Sequence, residues 1–267
     1  MLKLLSANKI RLKKNKLFWI GLLVTVGYCL FLLIMNYIEK VSYIGNSIVQ
    51  LNYYLLSPFS VISFVCPIFS SIFIGTEYSD GTMRNRLIVG HTRKKIYLAN
   101  FITIAAVNVI IALIASLVTI LLGTMLFGWN IGNPLLFILH YISGIMMLIA
   151  FAGLFTLIAM AIHNKTISTV TSIIIFLLSY LAEGVIRRLV FGFYNGEAIS
   201  DIFSDLSNDM VSRPVIEFLY DFIPTGQCLQ IASNTVFNPF RLPIFSALFT
   251  AITVVCGVLI FSKKDMK

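Results

Sequence analysis

TEYSDGTMRNRLIVGHTRKKIYL, residues 76–98, is a polar, basic interlude between two long apolar segments. It carries Arg84, Arg86, Arg93, Lys94 and Lys95. A connection rich in Arg and Lys beside apolar runs is expected on the cytoplasmic face of a membrane. Its helix-forming content and the turn punctuation at Gly90 predict a shaped element rather than a floppy connector. A membrane protein that keeps one shaped cytoplasmic element is expected to use it to touch another protein.

Outward from this stretch the chain is apolar on both sides. Of its 267 residues 58% are hydrophobic and only 12% charged, against about 25% charged in a soluble globular protein. A helix needs about 20 apolar residues to cross the hydrocarbon core. Six segments meet that requirement: 17–38, 55–75, 96–126, 134–162, 167–191 and 243–261. The third and fourth exceed the minimum and are expected to tilt or protrude. Basic residues precede the first run, as in a signal peptide, but the run continues past Met35 with no small-x-small cleavage site. An uncleaved first span is therefore expected.

Fifteen of the twenty Lys and Arg fall on one side of this six-span layout. They lie in 1–16, in the second-to-third connection, at Lys165 and in the tail, whereas Lys40, Arg187, Arg188, Arg213 and Arg241 fall on the other side. The bias predicts a plasma (cytoplasmic) membrane protein with both termini in the cytoplasm. A net charge of +9 thus reads as an orientation signal, and no nucleic-acid-binding module accompanies it. Residues 1–16 mix Leu2, Leu4, Leu5, Ile10 and Leu12 with six basic residues, which predicts an amphipathic interfacial helix against anionic lipid. Lys9 intrudes on its apolar side.

The acidic residues run the other way. Glu197, Asp201, Asp205, Asp209, Glu217 and Asp221 all lie in the outer loop 192–242. Asp201, Asp205 and Asp209 recur every four residues and share one helical face. They are candidate contacts for cationic cargo, or a solvated face with no further role. The apolar segment 218–229 is too short to span and is broken by Pro224. It is a candidate re-entrant or interfacial element before the last span.

Chemistry-bearing patterns are sparse. There is no Walker A motif, nucleophile elbow, HExxH or kinase signature, so no catalytic residue is assigned. Cys29, Cys66, Cys228 and Cys256 form no CxxC pair, and His91, His140 and His163 are scattered. Neither a disulfide nor a metal site is expected. Glu183 and Arg187, four apart near the outer end of the fifth span, suit an ion pair. Asn36, Asn100 and Asn108 are expected to hydrogen-bond between helices. Pro58 and Pro67 suggest a bent second span. The absence of a mid-membrane series of Asp, Glu or His argues against an ion-coupled transporter.

One stretch resembles a known family. Glu77, Gly81, Thr82, Met83, Arg84 and Leu87 follow the pattern E-x-x-x-G-T-(I/M)-(K/R)-x-x-L. A short turn, Arg93 and the start of the third span at Ile96 come next. This resembles the permease subunits of type-2 ABC exporters, the ABC-2 family. Asn100 stands where many members carry Lys. The topology is similar too, with a basic N-terminus, six spans and a large outer loop before the last. The resemblance implies one all-α membrane domain over 1–267 with a cytoplasmic coupling helix in the second-to-third connection. It implies half of a permease dimer, homomeric or with a related permease, served by two ABC ATPase subunits on separate chains. ATP and Mg would be held by those partners, with no cofactor on this chain. By the same resemblance Glu77, Tyr78, Asp80, Gly81, Thr82, Met83, Arg84 and Leu87 lie at or near the ATPase contact. Tyr78, Met83 and Leu87 would be apolar anchors, and Glu77 and Arg84 would pair with charges across the interface. Gly81 would permit a close backbone approach to the partner. The expected cargo is an antimicrobial peptide, a lipid-like compound or a hydrophobic drug. Two other readings are a peptide-sensing or immunity module that binds at the outer loop without transport, and an intramembrane enzyme.

Overall fold

The computed structural model describes residues 1–42, 50–195 and 212–263. The described residues form helices and no strands. In chain order these are α1 (Leu2–Lys14), α2 (Lys16–Ser42), α3 (Asn52–Ser79), α4 (Thr82–Ile88), α5 (Arg93–Phe127), α6 (Pro134–Ala161) and α7 (Lys165–Asn195). Then follow α8 (Ser212–Phe222), α9 (Pro224–Ala232) and α10 (Arg241–Lys263). Six of them, α2, α3, α5, α6, α7 and α10, are long and apolar enough to cross a membrane. Each coincides with one of the six segments read from the sequence. Asp201, Asp205 and Asp209 lie outside the described residues.

Helices α3, α5 and α6 form the centre of the bundle, with α2, α7 and α10 around them. The core between them is built from large side chains such as Phe59, Phe73, Phe151 and Phe155, all fully buried. Helix α2 buries little and presents Leu23, Phe31 and Ile34 outward, the pattern of a lipid-facing helix. Helix α10 comes so close to α5 at Gly257 that a Cβ there would overlap the Tyr97 ring. Small residues at such crossings let backbones approach where hydrocarbon supplies no hydrophobic drive.

Helix α3 stays continuous through Pro58 and Pro67. Proline has no N–H, so Pro58 leaves the Tyr54 carbonyl without its helical donor. The Ser57 hydroxyl supplies one at 2.8 Å, which lets the helix run on inside an apolar environment. At the far end of the bundle α8 and α9 meet at Ile223. Helix α9 is buried from Pro224 to Ile231 and is wedged against α3, α6 and α7.

The connection from α3 to α4 turns at Gly81, whose φ of +66° lies in the left-handed region. Gly81 therefore precedes α4 rather than sitting inside it. A Cβ at this position would meet nothing within 4 Å, so within this chain the glycine is explained by its backbone angle, and no crowding there requires it. Helix α4 ends in a Schellman motif at Gly90, φ +93°. Gly90 N–H donates to Leu87 C=O at 2.9 Å and His91 N–H to Arg86 C=O at 3.1 Å. Gly81→Ala is expected to destabilise the hairpin by about 1–2 kcal/mol, seen as a lower thermal unfolding midpoint in detergent. Gly81→Asn is expected to lose less, because Asn tolerates this region. Equal losses from both would show that side-chain crowding, not φ, sets the requirement.

Candidate functional site

Glu77 sits on the last turns of α3 and is 1% exposed. Three other elements converge on it. Arg86 of α4 places Nη2 2.8 Å from Oε1, and Arg11 of α1 donates Nη1 to the same oxygen. Asn100 of α5 donates Nδ2 to Oε2 at 3.1 Å. The polar atoms then close a ring. Asn100 Oδ1 accepts from Asn8 Nδ2 at 2.9 Å, and Asn8 Oδ1 accepts from Arg86 Nη2 at 2.9 Å. Asn8 Nδ2 also reaches the Thr103 hydroxyl at 3.0 Å. Arg11 further donates Nη2 to the Phe73 carbonyl, and its guanidinium carbon lies 3.6 Å from the centroid of the Phe73 ring.

A carboxylate this deeply buried is tolerated because its oxygens receive charged and amide donors. Burial pulls the Arg11 guanidinium below its ordinary pKa, and Glu77 raises it again. A guanidinium stays protonated under either influence, so the cluster holds two positive charges around one negative. Mechanically it ties α1, α3, α4 and α5 together at one end of the bundle. The Thr82 hydroxyl adds a bond to the Glu77 carbonyl at 3.2 Å.

The residues expected at a partner contact separate into two groups. Glu77 and Met83 face into the chain, each 1% exposed. Tyr78 and Leu87 pack partly against the core, and the Tyr78 hydroxyl donates to Met160 C=O at 2.9 Å. Asp80, Gly81, Thr82 and Arg84 are exposed. Glu77 pairs with Arg11 and Arg86 within the chain. Of the expected anchors, Met83 is enclosed by the chain's own core, and Tyr78 and Leu87 are partly exposed beside it. The hairpin also presents Ile88 and Val89, 73% and 78% exposed. They stand out because they lie outside the membrane-crossing helices. Both were in plain view in the sequence, but a pair of apolar residues does not announce which way it faces.

Asn8, Arg11 and Arg86 were also missed as site residues. For Asn8 and Arg11 the signal was their spacing with Leu4 on one helical face, which α1 turns inward. Of the three amides expected to bridge helices, Asn100 and Asn108 do so, the latter to Leu148 C=O at 3.3 Å. Asn36 bonds within its own helix, to Leu32 C=O at 2.8 Å. The Glu183–Arg187 pair does not form. Both Glu183 oxygens are buried without a hydrogen-bond donor among the described residues, as the side chain packs toward Gly226 of α9. Asp221, read as an outer-loop acid, is buried and accepts from Gln230 at 3.0 Å. Burial pushes its carboxyl up from the ordinary range, against the hydrogen bonds from Gln230 and Asn238.

A family model described as ABC-2 family transporter protein matches residues 4–183. The chain belongs to the ABC-2 transporter family. The match takes in the whole Glu77 cluster, the α4 hairpin, and α2, α3, α5, α6 and most of α7. No curated protein matches the chain. As an ABC-2 family member with six apolar membrane-length helices, it is a multi-pass membrane protein of the transport class, from a family that normally works with ABC ATPase subunits.

Proposed function

We propose that this chain is the transmembrane permease subunit of an ATP-driven exporter and that α4 is its coupling helix. Two ATPase subunits, carrying ATP and Mg, would act on a dimer formed with a second copy or a related permease. Both termini and α4 would face the cytoplasm from the plasma membrane, with α1 lying at the inner lipid surface. The cargo would be amphipathic or hydrophobic: an antimicrobial peptide, a lipid-like compound or a drug. Asp201, Asp205 and Asp209 would favour cationic cargo at the exit side.

The observation that carries this reading is the α4 hairpin. Its tip offers Ile88 and Val89 for burial in a partner, with Asp80, Thr82 and Arg84 exposed alongside. Its base is bolted through Arg86 to Glu77, and from there to α1, α3 and α5. A push on the tip is delivered to two membrane-crossing helices and the N-terminal helix through a packed polar network rather than a slack loop. Glu77 and Met83 would therefore position the contact, not make it.

Co-purification followed by ATPase assay in reconstituted membranes tests the proposal. An ABC ATPase is expected to accompany the chain, with hydrolysis stimulated by cargo. Binding of peptide without stimulated hydrolysis would favour a sensing or immunity module instead. The orientation is checked separately with single cysteines. Substitutions at Arg84 and Lys264 are expected to label from the cytoplasmic side only, and one at Asp205 from outside only. Labelling of positions 84 and 205 from the same side would overturn the topology.

A further inference from the structure

A cavity of about 550 Å³ lies beside the α4 hairpin, where α3 ends and α7 begins. Its wall includes Tyr78, Met83, Arg84, His163, Lys165 and Thr166, and no carboxylate. Asp80 neighbours it in sequence but is not part of the wall. Neither Arg84 nor Lys165 forms a salt bridge among the described residues. The Lys165 stem is pressed against Gly75, where an added Cβ would come within 2.9 Å of it. Its ammonium thus projects from a fixed base. The Asn164 side chain caps α7 by accepting from Thr166 N–H at 2.9 Å and Ile167 N–H at 3.2 Å.

The cavity sits where two helices long and apolar enough to cross a membrane, α3 and α7, end and begin. From its rim an apolar stripe continues along α7. Ile167, Val170, Ile174 and Leu178 are 56%, 49%, 49% and 62% exposed, and their spacing of three, four and four places them on one helical face. A basic, acid-free pocket joined to a lengthwise apolar stripe matches a charged head with hydrocarbon tails. A soluble protein segment could use the pocket but could not follow the stripe, which belongs to a helix of membrane-crossing length and composition.

We propose that this cavity is a headgroup site for an anionic phospholipid. Arg84 and Lys165 would neutralise the phosphate, the Thr166 hydroxyl would donate to it, and the acyl chains would lie along the α7 stripe. Arg84 also stands on the exposed side of the hairpin, so a lipid held here would lie against the proposed coupling element.

The test uses the full-length chain, purified in detergent and stripped of lipid, with bound molecules counted by native mass spectrometry. Phosphatidylglycerol is expected to bind as one tightly held copy per chain, more tightly than phosphatidylcholine, and glycerol phosphate is expected not to bind. Arg84→Gln with Lys165→Gln is expected to weaken phosphatidylglycerol binding by about thirtyfold, the combined effect of two basic side chains at a membrane surface. Both substitutions keep the inner stem atoms, and the lipid-free thermal midpoint is expected to stay at the wild-type value. Unchanged phosphatidylglycerol affinity in the double variant would overturn the proposal. Glycerol phosphate binding as tightly as the lipid would also overturn it, making the cavity a free-phosphate site. A wild type that binds no phosphatidylglycerol, with a double variant that sheds its ATPase, would identify a protein socket and overturn it as well. Binding is read on the chain alone, so its failure leaves the export reading standing.

Discussion

Glu77→Ala is expected to abolish transport and to lower the thermal unfolding midpoint sharply. The substitution leaves Arg11 and Arg86 facing each other across a buried gap with no carboxylate between them. Removing one partner of a buried ion pair costs about 3–5 kcal/mol, because the other charge stays buried and uncompensated. Helices α1 and α4 should then come away from α3 and α5, and ATPase stimulation by cargo should disappear with them. Glu77→Gln is expected to be milder, since an amide keeps the shape and one acceptor for Asn100. Adding Arg11→Met to Glu77→Ala should restore part of the stability, as it removes a stranded charge. Residues in one such network couple by about 0.5–3 kcal/mol. Thermal unfolding of the three variants and the wild type measures this directly. A wild-type midpoint for Glu77→Ala would mean that the cluster does not hold the elements together.

Ile88→Ser with Val89→Ser is expected to behave in the opposite way. Both side chains are exposed, so the isolated chain should unfold at the wild-type temperature. Assembly with the ATPase should suffer. Burying a Val or Ile side chain contributes about 1.5–3 kcal/mol, so losing both is expected to weaken association by at least about 3 kcal/mol, roughly a hundredfold. The readouts are ATPase retained on co-purification and cargo-stimulated hydrolysis. Wild-type assembly in this variant would remove the hairpin tip from the contact. The two sets of substitutions therefore divide the proposed element into a base that is structural and a tip that is recognitive.

Much of this protein was decided by its sequence. Six apolar runs of membrane length could only become six helices, because a backbone in hydrocarbon must satisfy its own hydrogen bonds. The interlude at 76–98 was legible as a shaped element from its turn glycines, and its pattern of Glu77, Gly81, Thr82 and Leu87 pointed to the family that the match over 4–183 establishes. The backbone angle of Gly81 was not legible in the sequence. Its place was visible, but a left-handed φ is a property of the folded turn and not of the residues flanking it.

Direction was left to the tertiary structure. In an apolar chain the surface is as greasy as the core, so hydrophobicity does not mark the inside as it does in water. Met83 and Ile88 are both apolar, yet one is buried and the other exposed. Polarity is no better guide, since Asn8, Glu77 and Asn100 are among the most buried residues. Glu77 meets Asn100 across 23 positions and Asn100 meets Asn8 across 92, and no local periodicity encodes which amide will meet which carboxylate. Only the packing of α1 and α5 against α3 brings them together, and it makes Glu77 the residue that ties α4 to the bundle.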